Sequence, residues 1–367
     1  MFRSLLQTRG FVVLILLVFL STGVAAQGVF VNSQAVDRAV IAEMEKLQAV
    51  GVAIGIIRNS KVVYTKGYGL ANLQTRTPVT RDTIFNWASN SKPLIAIAAM
   101  QLVQNAQLDL DKTIGTYIPS LPDHLKHITT RQLLCHQSGI PHYTNGEVIP
   151  SGKKVSPREE LDPLNSLQRF VMSPLIFVPG SKTEYSSYAY VLLTAVVQAA
   201  GKKPIDQQLL IRIVKPIGLK TFQLDMPFKR QRSWVTAFKI KNGIPEEVPD
   251  YAHFWKHGAG GYKSNVTDFA RFAAAVANME LIDEKTTIQM WTPQTTSDGA
   301  SSIYGLGVVV SSKGQSLKIS HNGSQDETRT RMVVYPNQKH GIVVMCNTQG
   351  CNPGQISTAI YDAMSKR

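Results

Sequence analysis

Two residues three positions apart, Ser89 and Lys92, have the residue types needed for nucleophilic catalysis. Residues at this spacing share one face of a helix, and the apolar run 93–100 that follows predicts a buried helix. A serine hydroxyl becomes a strong nucleophile when a neighbouring base takes its proton, and a lysine amine one turn away can be that base. Free N–H groups at the helix start would also favour a developing oxyanion. Alone, Ser-x-x-Lys is a weak signal, because a helix cap followed by a solvated lysine gives the same pattern.

Two further polar motifs follow Ser89 in chain order. Tyr185-Ser186-Ser187 comes between a Pro-Gly turn and an apolar helix, and His321-Asn322-Gly323-Ser324 lies in the strand-rich end of the chain. Taken singly, they fit an ordinary buried aromatic and a strand histidine. Together the three motifs resemble those of the serine β-lactamase and penicillin-binding-protein superfamily. The branch most similar contains class C β-lactamases, D,D-carboxypeptidases, D-aminopeptidases and β-lactamase-like esterases.

This resemblance extends from about residue 36 to the C-terminus. It is also carried by four other stretches: 67–72, 133–140, 260–262 and 268–272. It implies that Ser89 is the acylated nucleophile, that Lys92 is its proton partner and that Tyr185 passes the proton to the leaving group. The backbone N–H groups of Ser89 and Ser324 would form the oxyanion hole. Free lysine and tyrosine both titrate near pH ~10, so which of the two is the base stays open.

Two positions depart from the family pattern within the implied substrate-binding set His321, Gly323, Ser324 and Ser187. Ser187 stands where the second motif usually has asparagine, which shortens a hydrogen-bonding arm near Lys92. His321 stands where the third motif usually has lysine, and a histidine is mostly uncharged at neutral pH. We therefore expect weak turnover of penicillins. We also expect turnover of carboxylate substrates to improve as the pH falls and His321 gains charge.

The predicted fold is α+β. Helical spacing is found near residues 36–47, strand-like segments at 52–57 and 62–68, and four more strand-like segments between 307 and 346. A closing helix is predicted at about 353–364. Because strands come from both ends of the chain, we predict an antiparallel sheet flanked by N- and C-terminal helices, with a helical insertion at approximately 89–230. This is the β-lactamase/transpeptidase-like arrangement implied by the resemblance.

The first 26 residues have the features of a secretory signal. Arg3 and Arg9 are positive, 11–20 is apolar and 24–26 offers small residues for cleavage. We expect a mature hydrolase domain at 27–367, secreted or periplasmic, with no stable membrane span; an uncleaved anchor is the alternative. The formal net charge of +14 is spread along the chain, so no nucleic-acid partner is expected, and cell-wall material is the natural candidate neighbour.

The spacing of the cysteines and histidines is weaker evidence, for a disulfide and for a metal site, than the three motifs are for the active site. Four residues separate Cys346 from Cys351, and export would favour a disulfide between them, with three free thiols as the alternative. His253 and His257 share a helical spacing but lack the glutamate of a zinc-protease helix. We expect no metal and no cofactor.

The sequence thus predicts a secreted serine hydrolase that forms a Ser89 acyl-enzyme with a peptide, amide or ester, including peptides with D-amino acids. A carboxylesterase and a weak β-lactamase are alternatives within this class. A catalytically inactive protein that binds cell-wall peptides is an alternative outside it. The expected partner in each case is a small-molecule or peptide ligand.

Overall fold

The computed structural model describes residues 32–226, 233–249, 251–313, 316–326 and 328–365. The predicted signal segment 1–26 lies outside the described residues. Within the described ranges, no helix combines the length and the apolar character that a bilayer crossing requires.

The strands fall into two groups along the chain. Their bounds are β1 Gly51–Arg58, β2 Lys61–Asn72, β3 Thr77–Pro78, β4 Ile84–Asn86, β5 Gln223–Leu224, β6 Ala237–Lys241, β7 Ile244–Val248, β8 Tyr262–Asn265, β9 Val309–Lys313, β10 Ser316–Gln325, β11 Thr328–Tyr335 and β12 His340–Cys346. Most of the chain between β4 and β6 is helix or loop.

The helices are α1 Ser33–Lys46, α2 Ser91–Gln104, α3 Asp123–Lys126, α4 Thr130–Leu134, α5 Pro163–Ser166, α6 Ser187–Gly201, α7 Ile205–Leu209, α8 Val266–Ala277, α9 Glu284–Trp291 and α10 Pro353–Ser365. Short 3₁₀ helices include Ala88–Asn90 and Phe254–Ala259. The longer helices α2 and α6 are buried over almost their whole length, because their sequences are apolar on all sides.

The main sheet joins both ends of the chain. Its seven described strands run in the order β3-β2-β1-β12-β11-β10-β9, and every neighbouring pair is antiparallel. Strand β1 pairs with β12 from Val52 opposite Cys346 to Ile57 opposite Gly341. The predicted antiparallel α+β fold with flanking terminal helices is therefore confirmed.

The two faces of the sheet are covered by different layers. On β1, Val52, Ile54 and Ile56 join the core made with α1 and α10. Ala53 and Ile57 point the other way, into the larger core that contains α2, α6 and α8. Gly55 allows α8 to approach closely, since a Cβ there would lie 2.7 Å from Ala270 Cβ. The period-two alternation of a strand thus separates the terminal helices from the helices that carry the candidate site.

Several local predictions are confirmed, with shifts at element ends. The first hairpin turns at Asn59 and Ser60, which both have positive φ, as a tight turn requires. Helix α4 begins with a capping box between Thr129 and Gln132. Strand β10, which falls within the strand-rich region predicted at 307–346, continues through the third motif to Gln325.

The predicted Cys346–Cys351 disulfide is not formed in the structure. Cys135, Cys346 and Cys351 are free and buried. The thiols of Cys346 and Cys351 are hydrogen-bonded to each other, so the expected proximity is present. Both residues are almost completely shielded from solvent.

Candidate active site

Ser89 lies in the 3₁₀ turn that connects β4 to α2. The α-helix itself begins two residues later, at Ser91. The preceding residue, Ala88, has a φ of +48°, a strained value for a residue with a Cβ atom. The Asn86 Oδ1 atom accepts a hydrogen bond of 2.5 Å from the Ala88 N–H and so helps to hold this conformation. The turn presents the Ser89 side chain to a cavity.

Lys92 lies one turn after Ser89 and is completely buried. Its Nζ atom lies 3.0 Å from Ser89 Oγ, 3.1 Å from Ser187 Oγ and 2.7 Å from the Ala259 carbonyl oxygen. Each of these three neighbours comes from a different part of the fold. The amine is therefore fixed beside Ser89 by the packing of α2 against α6 and the Phe254–Ala259 helix.

Tyr185 reaches Ser89 from the segment before α6. Its hydroxyl lies 2.8 Å from Ser89 Oγ, and its ring lies 4.8 Å from Lys92 Nζ. His136 packs against the Tyr185 ring with the centroids 4.4 Å apart. The structure thus brings Ser89, Lys92 and Tyr185 together as the motif pattern predicts.

Burial shifts the pKa values of Lys92 and Tyr185, the two titratable residues beside Ser89, in opposite directions. Loss of solvent, and then the nearby charge of Lys256, hold the pKa of Lys92 well below its usual range. Loss of solvent also raises the pKa of Tyr185, although its hydrogen bond with Ser89 opposes this shift. At neutral pH, these two pKa shifts favour the uncharged form of Tyr185 and the uncharged form of Lys92.

The third motif lies on β10, directly against the Ser89 turn. A Cβ atom on Gly323 would lie 2.6 Å from the Trp87 carbonyl oxygen and 2.1 Å from Thr330 Oγ1, so only glycine allows this approach. With its amide nitrogen facing the His321 carbonyl oxygen, Asn90 donates to that oxygen at 3.0 Å and accepts from Gly323 N at 3.3 Å. These contacts fix β10 beside the Ser89 turn.

His321 is buried and uncharged. Burial, the largest cause, lowers its pKa to about 3. The lowered pKa opposes the expectation that His321 gains charge as the pH falls, and the improved turnover of carboxylate substrates stays a prediction. Its Nδ1 atom lies 2.6 Å from the Asn322 carbonyl oxygen, which can only accept, so Nδ1 carries the hydrogen. His321 therefore offers an acceptor at Nε2 rather than a cation.

These residues line one cavity of about 380 Å³. All the predicted site residues except Lys92 and Gly323 contribute to its wall, and Lys92 lies immediately behind Ser89. Eight further residues in the wall were not predicted to bind substrate: His142, Tyr143, Lys256, Ala259, Tyr304, Val309, Asn322 and Gln325. The Pro141-His142-Tyr143 stretch after the Ser-Gly turn was the available sequence signal for the first two.

The histidines considered for a metal site have other contacts. His257 is buried, and its Nε2 atom lies 2.9 Å from the Glu160 carbonyl oxygen. The backbone N–H of His253 donates to Asp225 Oδ2 at 2.9 Å. Among the described residues, no three or more histidine, cysteine or acidic side chains are grouped as a metal ion would require.

Comparison with known proteins identifies the family of this chain. Residues 36–363 match the sequence profile of the Beta-lactamase family. The chain belongs to the beta-lactamase family. Members of this family include serine hydrolases, and the arrangement of Ser89, Lys92 and Tyr185 has the residue types that a serine hydrolase requires.

Two curated proteins show what this beta-lactamase-family chain resembles in sequence. It is 26% identical to PbpX of Bacillus subtilis over 257 residues, which cover 70% of this chain and 61% of PbpX. It is 27% identical to esterase EstB of Burkholderia gladioli over 219 residues, which cover 56% of this chain and 54% of EstB. The match thus spans only about three fifths and half of these relatives.

The fold of the beta-lactamase-family chain is also similar to a solved structure. The beta-lactamase/D-alanine carboxypeptidase from Pseudomonas syringae superposes with a TM-score of 0.75, covering 91% of this chain and 99% of that one. The identity is 20%, so this likeness shows the fold alone.

Proposed function

We propose that this protein is a serine hydrolase that cleaves a peptide, amide or ester through an acyl-enzyme on Ser89. One observation carries the proposal: Ser89 Oγ lies 3.0 Å from the Lys92 amine and 2.8 Å from the Tyr185 hydroxyl. Such a pair of neighbours can take a proton from the nucleophile and return one to the leaving group.

In the proposed first step, Lys92 is the base. A neutral amine has two hydrogens and one lone pair. The hydrogens would be donated to the Ala259 carbonyl oxygen and Ser187 Oγ, which leaves the lone pair for the Ser89 hydroxyl. The lowered pKa of Lys92 and the raised pKa of Tyr185 favour this assignment over a tyrosinate base.

In the proposed acylation, Ser89 Oγ attacks the substrate carbonyl carbon while its proton passes to Lys92. The carbonyl oxygen becomes an oxyanion that accepts hydrogen bonds from the backbone N–H groups of Ser89 and Ser324. Tyr185 gives its proton to the leaving group as the carbonyl–leaving-group bond breaks, and regains one from Lys92. Water then cleaves the acyl-Ser89 ester by the same route in reverse.

A fluorophosphonate probe tests the proposal directly. It reacts with activated serines, so we expect covalent labelling of the folded protein, mapped by peptide mass spectrometry to Ser89. Folded protein that takes up no probe would favour the non-catalytic binding protein instead.

We also propose that small neutral esters or amides are better substrates than penicillins. His321 is uncharged and presents an acceptor, so it offers no cation to a substrate carboxylate. A charge-assisted hydrogen bond is worth about 1.5–3 kcal/mol, or roughly ten- to a hundredfold in rate. We expect His321→Lys to raise kcat/KM for benzylpenicillin relative to a short p-nitrophenyl ester by about tenfold or more. An equal ratio in both proteins would mean that His321 does not contact the carboxylate.

Finally, we propose that the protein is exported. The support is the sequence pattern of 1–26, with its positive start, apolar middle and small residues before Gln27. N-terminal sequencing of the mature protein should begin at Gln27. A mature chain that retains residues 11–20 would indicate a membrane anchor.

A further inference from the structure

Asn86 is a buried asparagine at the end of β4, just before the Ser89 turn. Its Oδ1 atom accepts hydrogen bonds from the backbone N–H of Ala88 at 2.5 Å and from Gln325 Nε2 at 3.1 Å. The first bond holds the positive φ of the residue that precedes Ser89, and the second holds a side chain of the cavity wall. One side-chain amide thus supports both the Ser89 turn and Gln325.

The amide of Asn86 can make these two bonds in only one of its two orientations. Both groups that face Oδ1 are donors, so the reversed amide would place its own N–H groups against them. Asp225 opposes the reversed orientation, because its Oδ2 atom lies 3.2 Å from Asn86 Nδ2. An ionised carboxylate only accepts hydrogen bonds, so it requires the nitrogen of Asn86 on its own side.

Asp225 is itself held by a buried ion pair. Lys263 Nζ lies 2.7 Å from Asp225 Oδ1 and 3.9 Å from the centroid of the Trp234 ring. Lys263 lies opposite Asn86 in the β4–β8 ladder, and Asp225 directly follows β5, which pairs with the other edge of β8. This three-stranded sheet therefore brings the ion pair to Asn86, although neither charged residue lines the cavity.

We propose that Lys263 and Asp225 are positioning residues of the active site, which act on Ser89 and Gln325 by fixing the orientation of the Asn86 amide. This inference rests on the proposed function, but the contact that it concerns can be measured without turnover. A strained backbone conformation persists only where its surroundings hold it firmly. The ion pair supplies a fixed carboxylate for that purpose.

The first test is Asp225→Asn, which keeps the shape of the side chain and removes one acceptor oxygen. The remaining oxygen is attracted by Lys263, so the new amide nitrogen faces Asn86 and disfavours its present orientation. We expect kcat/KM for a p-nitrophenyl ester and the rate of fluorophosphonate labelling to fall by about tenfold or more, since small displacements of reacting groups have large effects on rate. In NMR hydrogen exchange, the Ala88 N–H should exchange at least about tenfold faster relative to the amides of β8.

The second test removes both charges. Asp225→Leu/Lys263→Met replaces the ion pair with apolar side chains of similar size, a change that often leaves stability unaltered. The positioning role predicts the same loss of kcat/KM, and the same faster exchange of the Ala88 N–H, in a protein that melts near the wild-type temperature. Wild-type rates and wild-type exchange in either folded variant would overturn the inference, so one variant suffices if the other does not fold.

Asn86→Ala shows whether the ion pair acts through this amide. The substitution alone should lower kcat/KM about tenfold, because it removes the acceptor for the Ala88 N–H and for Gln325. Adding Asp225→Leu/Lys263→Met to it should cost less than about twofold more, since residues that act through one group are not additive. Two losses that simply multiply would contradict the proposed route.

Glu160→Leu/Arg169→Met is the matched control. Glu160 is another buried carboxylate, and its partner Arg169 stacks on the Trp255 ring; neither member of this pair lines the cavity. The control should keep the wild-type kcat/KM and the wild-type exchange of the Ala88 N–H, and an equal loss in it would overturn the specific role of Asp225. Absence of fluorophosphonate labelling in wild type would instead overturn the proposed function, while the exchange measurement would still decide whether the ion pair holds the turn.

Discussion

Ser89→Ala should lower kcat for p-nitrophenyl ester hydrolysis by about 10³-fold or more, because no other group can form the acyl-enzyme. It should also abolish fluorophosphonate labelling. The described contacts of Ser89 Oγ are those with Tyr185 and Lys92, so the alanine removes two hydrogen bonds and no packing. Circular dichroism and a thermal melt should therefore show a folded protein.

Ser91→Ala is the matched control for this variant. Ser91 lies two residues further along the same segment, and its buried Oγ has no hydrogen-bond partner among the described residues. Removing it should leave ester hydrolysis and labelling in place. Wild-type turnover by a folded Ser89→Ala protein, or loss of labelling only in Ser91→Ala, would place the nucleophile elsewhere.

Lys92→Met should lower kcat/KM for the same ester by about 10²- to 10⁴-fold, the usual contribution of a positioned base. Methionine keeps an unbranched chain of similar length but cannot accept a proton. In wild type, kcat/KM should rise with pH as Lys92 loses its proton. Because the pKa of Lys92 is lowered, this rise should be complete well below the pH at which a solvated lysine titrates. Lys92→Met should lose the rise.

Lys256→Met provides the control for the pH profile. Lys256 also lines the cavity, and its charge helps to lower the pKa of Lys92. Without this charge, protonated Lys92 is easier to maintain, so its pKa should increase. The acidic limb of the profile should then move to higher pH while remaining present. A Lys92→Met enzyme that keeps an unchanged acidic limb would indicate Tyr185, or another group, as the base.

Local sequence patterns predicted much of this fold. Alternating and helical periodicities located α1, the β1–β2 hairpin and α6, since each element buries one surface against a neighbour. The three motifs also predicted which side chains meet Ser89. This prediction was possible because Ser89 and Lys92 belong to adjacent turns and because Tyr185 immediately precedes a buried helix.

Other features depend on contacts between distant segments and could not be predicted from local patterns. The protonation of His321 follows from its burial beside Lys92, which only the packed site shows. The hydrogen bond from the Ser187 backbone N–H to His142 Nδ1 depends on a loop whose path the sequence leaves undetermined. The positive φ of Ala88, held by the hydrogen bond with Asn86, likewise does not follow from the residue type.

The strand order has a consequence for synthesis of the chain. Strand β12 is made last among the strands, yet it lies at the centre of the sheet between β1 and β11. A ribosome-bound chain cannot complete the sheet, or hold β10 firmly beside Ser89, before Cys346 has emerged. Pairing of such distant segments also makes folding slow. Ser89 is therefore translated early, but the proposed active site around it can be completed only late, so we expect an unfinished chain to show no hydrolase activity.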